Sequence, residues 1–388
     1  MFKWETEGSR FVMERLLEAG HEAVYVGGAV RDIALGLTPK DIDIATAATP
    51  EEIEALFRRT IDVGKEHGTI IVLVGEEQLE VTTYRSESTY SDYRRPDKVT
   101  FVRSLHEDLK RRDFTMNAMA INHEGRWIDP FNGLFHIEKR TIQAVGQADE
   151  RFEEDALRII RAVRFVSTLG FTIESETQRA MKKHASLLSH LAVERIKQEF
   201  DKMFRGDYLV QALRILYETG LHHYLPETKE EITLESFEYV EQPIEGWVLW
   251  AQCHQLASTE LARAYKLSKK EREAIARYLT LLQEQEWTPW IVYCYSLDEL
   301  LFVRRVNARC ETESELRQMK ERLPIQSKRD LAFDGRDVKQ YYPNCRGKNI
   351  GQLLEEIERA VVLQKVSNDT EEIIEWVNEH VYERLCIK

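Results

Sequence analysis

Up to about residue 145 the chain alternates two spacings of apolar residues. Short, β-rich apolar runs at 23–26, 42–45, 69–74, 79–84, 116–121 and 127–128 each predict a strand. Segments with helical spacing separate them. Residues 50–59, with Thr49 as N-cap, are one; the opening MFKWETEGSRFVMERLLEAG, ending on glycine, is another. This alternation predicts a mixed α/β domain over 1–145. From about 146 onward apolar positions recur at helical spacing with few strand signals. Breaks are expected near Gly206, around 226–243 and near Pro324. The chain therefore reads as an α/β part over 1–145 followed by a helical part from about 146 onward.

Composition sets limits on this outline. A chain of 388 residues exceeds one ordinary core, so roughly two to four domains are expected. No apolar run approaches the roughly 18 residues of a membrane span, and no basic flank with an apolar run opens the chain. A cytoplasmic protein without membrane association is expected. Cys253, Cys294, Cys310, Cys345 and Cys386 are far apart and lack CxxC spacing. They support neither a disulfide framework nor a structural zinc site, and His254 beside Cys253 reads as packing. The net charge of −13 argues against non-specific coating of nucleic acid, which needs clustered Lys and Arg. A local basic track on an acidic body stays open.

Chemistry enters with Val26-Gly27-Gly28-Ala29-Val30-Arg31-Asp32, which follows a strand and opens a helix. The glycines let backbone N–H groups approach a triphosphate at a helix N-terminus, and Arg31 can pair with its oxygens. Next comes Lys40-Asp41-Ile42-Asp43-Ile44. On a strand, Asp41 and Asp43 project to one face, and two adjacent carboxylates suit divalent cations in two-metal phosphoryl transfer. Glu80 is either a third carboxylate facing the metals or an outer-face strand residue. In Asp108-Leu109-Lys110-Arg111-Arg112-Asp113-Phe114-Thr115-Met116-Asn117-Ala118-Met119-Ala120, Arg112 can hold a ribose or phosphate, with Asp113 orienting it.

The segment Glu154-Asp155-Ala156-Leu157-Arg158-Ile159-Ile160-Arg161-Ala162-Val163-Arg164-Phe165 reads as one helix. Arg158, Arg161 and Arg164 cover an arc of about 120°. Asp155, one turn before Arg158, is expected to pair with it. Cytosine and adenine both offer an amino donor beside a ring-nitrogen acceptor, whereas uracil and guanine offer a carbonyl beside a ring N–H. A carboxylate and an arginine together therefore admit C and A and disfavour U and G without a template.

Over at least residues 20–205 the chain resembles the class II tRNA nucleotidyltransferases, the CCA-adding enzymes and bacterial poly(A) polymerases, most closely the Gram-positive bacterial type. The resemblance rests on the GGxVRD turn with the DxD pair, the RRDFTxNAxA segment and the EDxxR helix, in family order. Trp127-Ile128-Asp129-Pro130-Phe131-Asn132-Gly133 with Val145-Gly146, and Val193-Glu194-Arg195-Ile196, add to it. His136 stands where relatives often carry an acidic residue.

The resemblance implies an α+β fold: a polymerase-β-like nucleotidyltransferase head (1–145) followed by all-α neck (146–205, base recognition), body (206–300) and tail (301–388, tRNA binding). It implies that Gly28 and Arg31 contact the triphosphate and that Asp41 and Asp43, the catalytic acids, hold Mg²⁺. Arg112 would bind the incoming nucleotide and Asp155 and Arg158 its base. Arg161 and Arg164 would support the nucleotide, while Glu194 and Arg195 brace the base-reading helix. The implied partners are tRNA with ATP and CTP as substrates, and the implied state is a monomer or homodimer. The implied reaction adds C and A to the tRNA 3′ end and releases pyrophosphate. An A-adding-only enzyme or a poly(A) polymerase is the alternative. The uninterrupted segment 84–99 resembles the loop that A-adding relatives keep. Arg304, Arg305, Arg309, Arg317, Lys320, Arg322, Lys328 and Arg329 offer either a track for the tRNA backbone or a charged helix face.

Overall fold

The computed structural model describes residues 2–87 and 99–386. It divides into two compact units, Met1–Lys269 and Lys270–Lys388.

In the first unit seven strands form a mixed sheet among the described residues: β1 (Ala23–Val26), β2 (Asp43–Thr46), β3 (Thr60–Gly64), β4 (Thr69–Val74), β5 (Glu77–Thr83), β6 (Ala120–Asn122) and β7 (Trp127–Ile128). Their order is β3-β4-β5-β2-β1-β6-β7. β1 runs antiparallel to β2, and β2 parallel to β5. Directly opposed residues share a face. Tyr25, Ile44, Val81 and Ile70 form one row across four strands, and all four are buried. Helix α1 (Glu7–Glu18) packs there through Val12, Met13 and Leu16, and α3 (Pro50–Leu56) closes the same side. The other row is Val26, Asp43, Glu80 and Ile71. Its face is half covered, by Leu105 and Leu109 of α4 (Leu105–Lys110) packed on Val24, Val26, Ala45 and Ala120. The remaining half faces a cleft.

Helix α2 (Gly27–Ala34) starts directly from β1. As expected, Thr49 caps α3, here in a reciprocal capping box with Glu52. β3 was not foreseen. Its pattern TIDVG buries no residue, leaving Ile61 and Val63 exposed on an edge strand. The expected strand at 116–121 is shorter: Thr115–Asn117 form a 3₁₀ turn, and pairing begins at Ala120.

The helical part begins with α5 (Ala148–Glu154) and α6 (Leu157–Leu169), followed by α7 (Val193–Met203), α8 (Leu209–Glu218) and α9 (Pro243–His254). α6 packs between α7 and α8. Gly206 is required between them, because a Cβ there would lie 2.3 Å from the Ser167 carbonyl oxygen. Phe200, Phe204, Trp247, Trp250 and Tyr265 form the aromatic core beneath. The second unit is helical among the described residues, with a core including Leu300, Phe302, Ile357, Val361 and Val377. No described helix is long and apolar enough to cross a membrane.

Candidate active site

The cleft lies in the first unit and encloses about 910 Å³. One wall is the open half of the sheet with the glycine turn; the other is α6. Val26, Gly27, Gly28, Arg31, Asp43, Glu80, Arg112, Asp113, Asn117, Asp155, Arg158, Arg161, Arg164, Phe165 and Arg195 line it. Of the residues expected to bind metal or nucleotide, Asp41 alone is missing from the lining; Glu194, expected to brace the base-reading helix, is also outside it.

Gly27 has φ +72°, a conformation that glycine adopts without strain. A Cβ there would lie 3.3 Å from Asp43 Oδ2 and 3.4 Å from Arg112 Nη1. The turn thus brings backbone N–H groups, a carboxylate and a guanidinium close together. Arg31 donates to Asp32 Oδ1 at 2.7 and 3.1 Å and to Asn117 Oδ1 at 3.0 Å.

Asp43 opens β2 in register with Glu80 on β5, so the two acids share the cleft face. Asp41 was expected on the same strand. It lies instead in a bend ahead of it and is exposed, because pairing with β1 starts only at Asp43. Burial pushes Asp43 up to about 6; Glu80 and, more weakly, Asp41 add to the rise, against the pull of Arg112. An ionised carboxylate held among like charges is the environment a cation relieves. The three side chains offer only oxygen, the donor a hard divalent ion takes.

Two expected pairings are corrected. Asp113 does not orient Arg112. Arg112 is held by Asp108 Oδ2 (3.1 Å) and donates to the Asn117 carbonyl (3.3 Å), while its Nε is buried without a partner. Asp113 instead accepts from Arg161 Nε and Nη2 at 2.8 and 2.6 Å, from the Asn117 amide at 3.0 Å and from the Phe114 N–H at 2.8 Å. Burial alone would raise its pKa; Arg161 and these hydrogen bonds outweigh it and hold it well below the usual carboxylate range.

Nor do Asp155 and Arg158 pair with each other. The expected single helix is broken at Asp155 (φ −142°, ψ 103°), which ends α5. Its oxygens accept from Arg195 at 2.8 and 3.2 Å and from the Leu157 N–H at 3.0 Å. Arg158 donates to Glu154 Oε2 (2.7 Å) and to the carbonyls of Arg151 (3.1 Å) and Arg111 (2.8 Å). Each still has capacity to spare, since a carboxylate offers about four acceptor positions and a guanidinium five donors.

The arginine strip has more acidic partners than the one foreseen: Glu154 for Arg158, Asp113 for Arg161 and Glu199 for Arg164 at 2.5 Å. Phe165 carries Arg31, Arg161 and Arg164 around its ring, with guanidinium carbons 5.3, 5.5 and 3.8 Å from the centroid. Asp108, Asn117, Phe165 and Glu199 were not assigned roles from the sequence. Asp108, Asn117 and Phe165 stood inside the quoted segments; nothing local marks Glu199. His136 is buried and hydrogen-bonded to Thr115 Oγ1 at 2.9 Å. Most of segment 84–99 lies outside the described residues.

Three domain families match the chain: "Poly A polymerase head domain" over 23–143, "Probable RNA and SrmB-binding site of polymerase A" over 170–232, and "tRNA nucleotidyltransferase domain 2" over 239–377. The CCA-adding enzyme of Bacillus cytotoxicus is 42% identical over 384 residues, covering 95% of this chain and 97% of that protein. The chain belongs to the CCA-adding enzyme family. A second member, from Geobacillus kaustophilus, is 41% identical over 394 residues, covering 97% of this chain and 98% of its own length. The crystal structure of the Bacillus stearothermophilus CCA-adding enzyme in complex with CTP matches with TM-score 0.86 at 38% identity, over 97% of each chain. The architecture is that of the family, a nucleotidyltransferase head carrying the mixed sheet followed by a helical remainder.

Proposed function

We propose that this chain is a Mg²⁺-dependent nucleotidyltransferase that adds C and A, without a template, to the tRNA 3′ end from CTP and ATP. One observation carries the reading. A single cleft holds the Asp43–Glu80 carboxylates and the glycine turn on one wall and the Asp155 and Arg158 side chains on the other.

Gly28 and Arg31 take the triphosphate, where backbone N–H groups and a guanidinium meet anionic oxygens. Asp43 and Asp41 hold Mg²⁺, and Glu80 completes the carboxylate group. Bound there, the ion supplies Lewis acidity that favours the 3′-alkoxide and offsets charge on the phosphates. Arg112 holds the sugar, and Arg161 and Arg164 keep the α6 wall positive against the leaving pyrophosphate. Asp155 accepts from the exocyclic amino group and Arg158 donates to the ring nitrogen. Arg195 braces Asp155 from α7. Head, neck, body and tail follow the divisions at 145, 205 and 300.

In the second unit Arg304 donates to the Glu311 carbonyl, and Arg309 and Arg317 pair with Glu311 and Glu313. Of these only Arg317–Glu313 is an exposed pair, whereas Arg309 is largely buried against Glu311 and Trp287. Exposed pairs are weak, so Arg317 remains available to a tRNA backbone.

The test uses a tRNA transcript ending before CCA, incubated with CTP, ATP or both. The expected products are CC with CTP alone and CCA with both. Addition of A only to a CC-ended transcript would identify an A-adding enzyme, and a long tail a poly(A) polymerase. No incorporation by folded protein with Mg²⁺ would overturn the proposal.

A further inference from the structure

Away from the cleft, the connection after α8 gathers a second set of metal-compatible donors. Gly220, with φ +72°, turns the chain into a 3₁₀ turn over Leu221–Tyr224, which presents His222 and His223 side by side. The following segment returns over them. Thr228 Oγ1 donates to the His222 carbonyl, and the Lys229 N–H donates to His254 Nδ1 at 3.0 Å. Those two bonds hold the backbone immediately ahead of Glu230 against the histidine turn and His254. One donor atom from each of His222, His223 and Glu230 lies within 4.8 Å of the others, and His223 Nδ1 is 3.5 Å from Glu230 Oε1.

His222 supplies the independent observation. It is 4% exposed, and neither ring nitrogen has a hydrogen-bond partner. The Leu216 carbonyl lies nearby without reaching ordinary hydrogen-bond geometry. A buried imidazole with two unsatisfied nitrogens costs free energy that a packing role alone would not need. Tyr217 stacks on its ring at 4.2 Å and fixes the plane.

We propose that His222, His223 and Glu230 bind one divalent transition metal of the zinc class, with water completing the coordination. Two imidazoles and a carboxylate are a zinc-type donor set and suit Mg²⁺ or Ca²⁺ poorly. Tetrahedral ligands at about 2.0–2.2 Å from zinc stand roughly 3.3 Å apart, close to the existing His223–Glu230 separation. His223 and Glu230 are exposed, so the ion has a path in and their side chains can rotate the remaining distance. The site staples the turn after α8 to the loop that follows it. It escapes a search based on cysteine spacing because it contains no cysteine.

The test is a Co²⁺ titration of the chelator-stripped full chain in excess Mg²⁺, followed by visible absorption and then displacement with Zn²⁺. The expected result is one equivalent of tetrahedral Co²⁺ that Zn²⁺ displaces. Loss of a partner behind the ligands typically weakens metal sites on the order of 10–100-fold, so His223→Gln and Glu230→Gln should each weaken binding at least about tenfold. Both positions are exposed, and circular dichroism would verify that the variants fold. Asp43→Asn should leave Co²⁺ binding unchanged. Absence of a tetrahedral spectrum, equal affinity in both ligand variants, or loss of binding in Asp43→Asn would overturn the proposal.

Discussion

Asp113→Asn probes the connection between the two walls of the cleft. Asp113 Oδ2 takes both donors of Arg161, and Oδ1 takes the Asn117 amide, whose oxygen in turn receives Arg31. One carboxylate therefore links α6 to the arginine of the glycine turn. Removing one partner of a buried ion pair costs about 3–5 kcal/mol. Arg161 keeps 31% of its side chain exposed, so water recovers part of this and about 2–3 kcal/mol remains. For a unit spanning Met1–Lys269 that corresponds to a fall in melting temperature of roughly 5–10 °C. The pH dependence has a fixed sign. Asp113 lies below its unfolded value of about 3.9, so its stabilisation is complete above that pH and fades as the pH falls through it. Calorimetry of parent and variant at neutral pH and near pH 3.5 should show the gap narrowing in acid. KM for both nucleotides should rise with the loss of alignment. An unchanged melting temperature at neutral pH, or a gap independent of pH, would refute the reasoning.

Further outcomes follow from the same geometry. Asp43→Asn removes a charge that burial and Glu80 disfavour; it should raise the melting temperature by a few degrees while lowering incorporation of both CMP and AMP by at least about 10³-fold. Asp41→Asn should lower incorporation too, without the gain in stability, since Asp41 is exposed. In competition assays, Asp155→Ala and Arg158→Ala should let UTP or GTP compete more than they slow transfer; unchanged selectivity would remove them from base reading. Gly27→Ala places a Cβ against Asp43 and Arg112 at positive φ. It should cost about 1–2 kcal/mol in denaturant titration and weaken triphosphate binding.

Much of the head was legible because its strands are short, apolar and bounded by turns. β3 escaped because its alternation is only five residues long, with two apolar positions, Ile61 and Val63, and neither is buried on this edge strand. At 154–165 periodicity could suggest only a continuous helix. The break at Asp155 arises from Arg195, forty positions away, and from the Leu157 N–H. The same applies to Asp113 and Arg161, whose union spans 48 positions. The charged groups singled out by sequence spacing line one cleft, apart from Asp41 and Glu194, yet which acid meets which base is decided by tertiary packing.

The alignment of Val26, Asp43, Glu80 and Ile71 across neighbouring strands also bears on how the sheet reaches its correct form. Sliding β2 or β5 by one position would turn an acid toward α1 and lift Ile44 or Val81 into water. The mispaired sheet would thus carry an ionised group in its oily layer, a state penalised by several kcal/mol. The acids proposed to handle phosphate chemistry therefore also act as proofreaders of strand assembly.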